Sequence, residues 1–263
     1  MNAIRIRTQP VLLTLLAVLW SAAAAAAPEK RPAPVQHLMD QGFELSERFQ
    51  APGGLTGYVG KLGGRPLAFY LTPDKEHVIV GPMLDSEGNN LTKSRIRTRV
   101  SGPDNAAAWP RLEKANWVAD GAADAERIIY TFTDPNCPYC HRFRKAAEPW
   151  IEAGRVQLRH VLVGILKPDS TAMAATILAS GDPQAALDRN QANFRDGGID
   201  VDEKLAKQAR DRIRANNQLM RDLGLRATPV IYYHTGDGTV ARKQGMPRGQ
   251  GMAAIMGSPE PES

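Results

Sequence analysis

Residues 128–140 read Ile128-Ile129-Tyr130-Thr131-Phe132-Thr133-Asp134-Pro135-Asn136-Cys137-Pro138-Tyr139-Cys140, and His141-Arg142-Phe143-Arg144-Lys145-Ala146-Ala147 follows. A β-rich apolar run, a turn and a helix start stand in succession. Pro138 suits the first helical position, where a missing N–H costs nothing. Cys137 then falls at the N-cap, facing free backbone N–H groups and the positive end of the helix dipole. Both favour a thiolate, the attacking species in disulfide exchange. Cys140 lies one turn further in, within reach to resolve a mixed disulfide. The stretch therefore reads as a thiol–disulfide site with Cys137 as nucleophile and Cys140 as resolving thiol.

A metal reading is weaker. Structural zinc takes four ligands, yet these are the only two cysteines, and His37, His77, His141, His160 and His234 show no H-x-x-x-H pairing. We expect no zinc and no cofactor beyond a redox-active Cys137–Cys140 disulfide. His141 is expected to face solvent on the helix.

The N-terminus has the form of a secretory signal. Arg5 and Arg7 supply the charge, Val11 to Trp20 is an apolar core too short to span a bilayer, and Ala25-Ala26-Ala27 offers a cleavage site. Residues 1–27 are thus expected to be removed near Ala27, and the rest exported into an oxidising compartment. Two cysteines cannot build a disulfide scaffold there, which leaves them as reagents. Removing Arg5 and Arg7 takes the formal charge from +5 to 5 − 2 = +3. With basic and acidic residues interspersed and no Arg-rich or stacked-aromatic element, nothing points to a nucleic-acid partner.

The chain length of 263 residues accommodates one large domain or two small ones. Pro28 to Pro34 is a polar leader, and Val35 to Met39 begins a short helix. Strands follow at Phe43–Phe49, Leu55–Leu62, Arg65–Leu71 and His77–Val80, separated by Gly- and Pro-bearing turns. Gly53, Gly54, Gly57, Gly60, Gly63 and Gly64 punctuate strands; no Gly-Lys-Ser/Thr follows to make a phosphate loop. This β-rich unit, residues 28–93, is small enough to need a partner, and an unpaired strand edge would supply one. A homodimer through it is expected.

Residues 94–119 read as a linker turning helical, with Trp109, Leu112 and Trp117 at helical spacing. Residues 120–257 form the second unit. It holds the strand at Ile128–Thr133, a helix from Cys137 to about Ala153 with a bend at Pro149, and a strand from Val156 to Leu166. Helical pieces follow at 172–179, 183–194 and 201–223, then a Val230–Tyr233 strand, a Thr235–Gly238 turn, its partner at Val240–Gln244, and a last helix near 249–256. Residues 258–263 read as a disordered tail. Strand, C-x-x-C helix, strand, helices, X-Pro, antiparallel hairpin and helix compose a thioredoxin fold with a helical insertion. The whole is a mixed α+β and α/β protein: a β-rich dimerisation domain, a helical linker and a thioredoxin-like domain.

Several segments resemble the periplasmic Dsb disulfide-exchange family in its DsbC/DsbG branch. They are Thr133 to Cys140, Val161 to Pro168, Ile177 to Ser180, Leu223-Gly224 and Thr228-Pro229-Val230-Ile231-Tyr232-Tyr233, with Ala51 to Gly54, Gly57-Tyr58 and Tyr70 to Asp74 upstream. The resemblance spans roughly Pro34 to Gly257. It implies a periplasmic disulfide isomerase or reductase acting on misfolded or oxidised proteins and recharged by a DsbD-like membrane reductant, and it also suggests reduction of protein sulfenic acids. It implies a V-shaped homodimer. Pro138 and Tyr139 would tune the redox potential. On the residues alone Pro229 is an ordinary trans proline opening a strand; the resemblance implies a cis bond that exposes the Thr228 backbone to an extended substrate. A DsbA-like oxidase and a chaperone with secondary redox activity are the rival readings. One departure stands out: many thioredoxin relatives carry a buried acid six residues before the first cysteine, and here that position is Thr131. No residue is identified as the base for Cys140.

Overall fold

The computed structural model describes residues 31–261; the expected signal segment, and Glu262 and Ser263 of the tail, lie outside them. Helix α1 (Ala33–Asp40) packs on a four-stranded antiparallel meander, β1 (Phe43–Gln50), β2 (Thr56–Leu62), β3 (Arg65–Leu71) and β4 (Val78–Val80). Its core is aromatic, with Tyr58 and Phe69 stacked at 4.8 Å and Phe43 edge-on to Phe69 at 5.0 Å. The glycines of β2 serve close approach: a Cβ on Gly60 would meet Glu44 O at 2.1 Å, and one on Gly57 the Phe49 ring at 2.2 Å.

Helix α2 (Leu91–Arg95), a π-helical stretch (Ile96–Ser101) and α3 (Gly102–Glu113) run on from the meander. The Asn90 side chain caps this run, accepting from Thr92 N at 3.0 Å and Lys93 N at 2.9 Å. The helix ends before Trp117, contrary to the helical spacing of Trp109, Leu112 and Trp117. Residues Trp117–Asp120 form β5, which pairs antiparallel with β7 (Val156–Leu162). The linker expected at 94–119 thus gives its last residues to the second sheet.

That sheet has the order β5-β7-β6-β8-β9, with β6 (Arg127–Thr133), β8 (Val230–His234) and β9 (Val240–Gln244). Only β6 and β7 are parallel, and they are joined through α4 (Pro138–Glu152). Phe143, Ala147 and Trp150 of α4 pack with Ile129, Leu158 and Ile231 on one face, each large side chain contributing about 1.5–3 kcal/mol by burial. Leu112 of α3 and Met220 of α7 (Glu203–Asp222) pack with Tyr130, Phe132 and Tyr232 on the other. Helices α5 (Ser170–Ala179), α6 (Pro183–Ala192) and α7 form the insertion, and α8 (Gly251–Met256) closes the domain. No helix among the described residues is long and apolar enough to cross a membrane.

Two further expectations are corrected, at the end of β7 and in the tail. Strand β7 stops at Leu162, because Gly164 to Leu166 turn away to bond elsewhere. Helix α4 continues past Pro149 to Glu152, so the expected bend lies within a continuous helix. The tail is held as far as Pro259: Trp150 Nε1 donates to Ser258 O at 3.2 Å, Ser258 Oγ at 3.1 Å and Pro259 O at 3.1 Å.

Candidate active site

Strand β6 ends at Thr133 and delivers the chain into an Asx turn. The Asp134 carboxylate is buried and accepts from Asn136 N at 2.9 Å and Ser170 Oγ at 2.8 Å through one oxygen. Its other oxygen accepts from Ile165 N at 2.7 Å and Leu166 N at 3.0 Å. A single side chain therefore joins the cysteine turn to the loop after β7. Asn136 adds a tie, donating to Asp169 Oδ1 at 2.9 Å and Ser170 Oγ at 3.1 Å.

Cys137 is the N-cap of α4 and Pro138 its first residue. The Cys140 backbone N–H donates to Cys137 Sγ at 3.2 Å. On its other side the Cys137 thiol faces Thr228 O at 3.5 Å. The Thr228–Pro229 peptide is cis, so sequence positions 137 and 228 meet as the resemblance implied. Both cysteines are buried free thiols. Tyr139, by contrast, is exposed, with the Arg142 guanidinium 5.5 Å above its ring.

The two thiols are driven apart. Hydrogen bonding from the Cys140 thiol is the largest influence on Cys137; with Thr228 and the N–H groups of Cys140 and Tyr139 it outweighs burial and brings Cys137 down to about 6. Burial pushes Cys140 well above the ordinary thiol value, and the hydrogen bond and charge of Cys137 push it further. At neutral pH Cys137 is a thiolate and Cys140 a thiol.

Beneath α4 the sheet carries a polar cluster. Thr131 is fully buried and its Oγ1 has no partner among the described residues. Opposite it on β7 stands His160, also buried, with Nδ1 at 2.9 Å from Thr133 Oγ1 and Nε2 at 3.4 Å from Asp120 Oδ2. Arg144, one turn past Cys140 on α4, grips Asp120 with both ends of its fork, at 2.7 and 3.0 Å, and reaches Asp188 on α6. Burial pushes the Asp120 carboxyl up, but His160 and Arg144 outweigh it and hold it well below the usual carboxylate range. Burial also pushes His160 down, outweighing Asp120, so the imidazole is neutral at pH 7 and Arg144 carries the compensating charge.

The structure thus brings Cys137, Pro138, Cys140, Thr228 and Pro229 together, and sets Tyr139 at the rim. Asp134, Asn136 and the Asp120–Arg144–His160 cluster were not read from the sequence as parts of the site. Asp134-Pro135-Asn136 carried a usable signal, since Asp before an N-cap forms Asx turns. His141 corrects its expectation: it does not face solvent but stacks on Phe194 at 4.4 Å, with Nδ1 buried.

Residues 119–258 match the thioredoxin-like domain family. The thiol:disulfide interchange protein DsbG of Pseudomonas aeruginosa is 38% identical over 247 residues, covering 94% of this chain and 96% of that protein. DsbG of Escherichia coli is 39% identical over 246 residues, covering 94% and 98%. Among solved structures, Helicobacter pylori DsbG covers 76% of this chain and 97% of its own at 15% identity and a TM-score of 0.39.

Proposed function

Since this chain belongs to the DsbG family of thiol:disulfide interchange proteins, we propose that it is a periplasmic thiol–disulfide oxidoreductase working as reductase and isomerase. The observation that carries the reading is the Cys137 sulfur: it sits on a helix N-terminus, accepts from Cys140 N, faces Thr228 O, and is ionised at neutral pH.

The Cys137 thiolate attacks one sulfur of a substrate disulfide. A Cys137–substrate S–S bond forms, the substrate bond breaks, and the other substrate sulfur leaves as a thiolate that takes up a proton. In isomerisation, a second substrate thiolate attacks the substrate sulfur of this mixed disulfide. A new substrate disulfide forms, Cys137 returns as a thiolate, and no net electrons move. In reduction, the Cys140 thiol loses its proton and attacks Cys137 Sγ. Reduced substrate departs with two electrons from the dithiol, and Cys137–Cys140 becomes the disulfide. The electrostatics favour this order. A mixed disulfide abolishes the Cys137 charge, one of the influences that raise Cys140, so the resolving thiol ionises more easily once it is needed. A substrate sulfenic acid enters the same cycle: Cys137 displaces its oxygen as water, leaving the same mixed disulfide.

The reductive branch consumes the dithiol, so a DsbD-like membrane reductant is proposed as the recharging partner. The signal-like residues 1–27 support export. Homodimerisation through the meander is proposed from its edge strand β4, where Ile79 and Val80 are both more than half exposed. A chain lacking residues 28–93 should then sediment at half the mass class of the mature protein.

The test of the functional direction is the redox state of Cys137 and Cys140 in whole cells, by acid quench and thiol alkylation. A mostly reduced pair is expected. A mostly oxidised pair in cells with an intact reductant pathway would instead assign a DsbA-like oxidase.

A further inference from the structure

The loop that Asp134 holds, Ile165-Leu166, forms one wall of a groove of about 930 Å³. The start of the segment that carries Thr228, Leu225 and Arg226, also lines it, with Arg221 from the end of α7. The β2–β3 hairpin adds Gly63, Gly64 and Arg65 to the lining. The first two segments are thus chained to the exchange site, one through Asp134, three residues before Cys137, and the other through Thr228, whose carbonyl faces the Cys137 sulfur. The Ile165-Leu166 wall is apolar and open: Ile165 is 41% exposed and Leu166 is 48% exposed.

The charge of this groove is one-sided. Arg65, Arg221 and Arg226 are all exposed, and no carboxylate lines the groove. Among the described residues none of the three forms an ion pair; Arg221 donates only to Gln218 Oε1, at 2.6 Å. The adjacent Asp222 forms its ion pair with Arg111, 2.8 Å away, and does not line the groove, although its charge also acts on Arg221. Three unpaired guanidinium groups around an apolar strip complement a segment that is apolar where it meets Ile165 and Leu166 and acidic at its flanks.

We propose that this groove selects substrates: it takes an extended acidic segment of the substrate protein next to the cysteine that Cys137 attacks. This rests on Cys137 being the exchange nucleophile and adds the chemical class of the chain it prefers. Arg65 is the least expected member, because it comes from the β-rich domain and ties that domain to substrate choice.

The test uses the full mature protein and two quenched-fluorescent peptide disulfides with the same apolar core, one flanked by glutamates and one by lysines. At low salt the glutamate peptide should show a kcat/KM at least about fivefold higher, equivalent to roughly 1 kcal/mol. The ratio should fall toward one at about 1 M salt, where the screening length is roughly 3 Å. It should also fall toward one in the Arg65→Gln/Arg221→Gln/Arg226→Gln variant and persist in Arg226→Lys. The wild-type ratio and its salt dependence need no variant and stand if the triple substitution does not fold. Equal rates, a preference for lysine, or a ratio indifferent to the three arginines overturns the groove proposal alone. Exchange of neither peptide overturns the oxidoreductase reading beneath it.

Discussion

Substituting Arg144→Met keeps the apolar stem against the sheet and deletes the guanidinium. Two charge-assisted hydrogen bonds to Asp120, at 2.7 and 3.0 Å, vanish, and so does the contact to Asp188. Asp120 is 2% exposed. Its carboxylate is left buried with only a neutral His160 at 3.4 Å. Removing one partner of a buried pair costs about 3–5 kcal/mol, a large fraction of the roughly 5–15 kcal/mol that holds a typical protein folded. The helix that carries both cysteines then loses its fastening to β5. Denaturant unfolding followed by circular dichroism should show this loss at pH 7, and Asp120→Asn combined with Arg144→Met should cost less than the two single changes added together. The pH dependence has a definite sign. Asp120 is depressed in the folded state, so its contribution is present above the unfolded value of about 3.9 and lost as pH falls through the lower folded value. The gap between wild type and Arg144→Met should therefore narrow below about pH 4. A cost under about 1 kcal/mol at pH 7, the range of an exposed pair, would mean that Arg144 and Asp120 do not act as a buried ion pair. So would a gap that does not change with pH.

Thiolate absorbance of the reduced protein should titrate with a midpoint near 6 for Cys137, and Cys140→Ala should raise that midpoint, since the Cys140 thiol is the largest influence lowering it. By linkage, the reduced fold gains stability as pH rises from about 6 toward 9 and loses it as pH falls through about 6, which unfolding at a series of pH values would read. Asp134→Ala removes the acceptor for four donors, each worth about 1.5–3 kcal/mol when the acceptor is charged, so amide exchange at Ile165 and Leu166 should speed markedly while β6 stays protected.

Local patterns carried much of this fold. The C-x-x-C after a β-branched run and a turn located the cysteine pair and the helix that Cys137 caps. The strands of the meander were legible from turn residues, and observed ends differ from expected ones by a residue or two. Trp117 misled because its spacing from Trp109 and Leu112 continues a helical period. Nothing nearby in the chain announces that β7, some forty residues later, claims it as a strand partner. Asp120, Arg144 and His160 were silent for a related reason. A charged residue in an amphipathic pattern reads as surface until its partner is known, and these partners come from three elements far apart in the chain. His141 likewise stacks on Phe194, from beyond α6. The meeting of Cys137 with Thr228 was foreseen only through the family resemblance, because a proline before a strand is by itself most often trans.

In the proposed cycle the Cys137 thiolate makes the bond to substrate and Cys140 breaks it. The most direct measurement is to replace Cys140 with Ser in the exported protein, quench with acid, and map the disulfide-linked adducts by peptide mass spectrometry. Mixed disulfides to periplasmic proteins should accumulate at Cys137 and be absent from the Cys137→Ser counterpart. Adducts carried by Cys140 in the Cys137→Ser protein, or none at Cys137 when Cys140 is gone, would contradict the account.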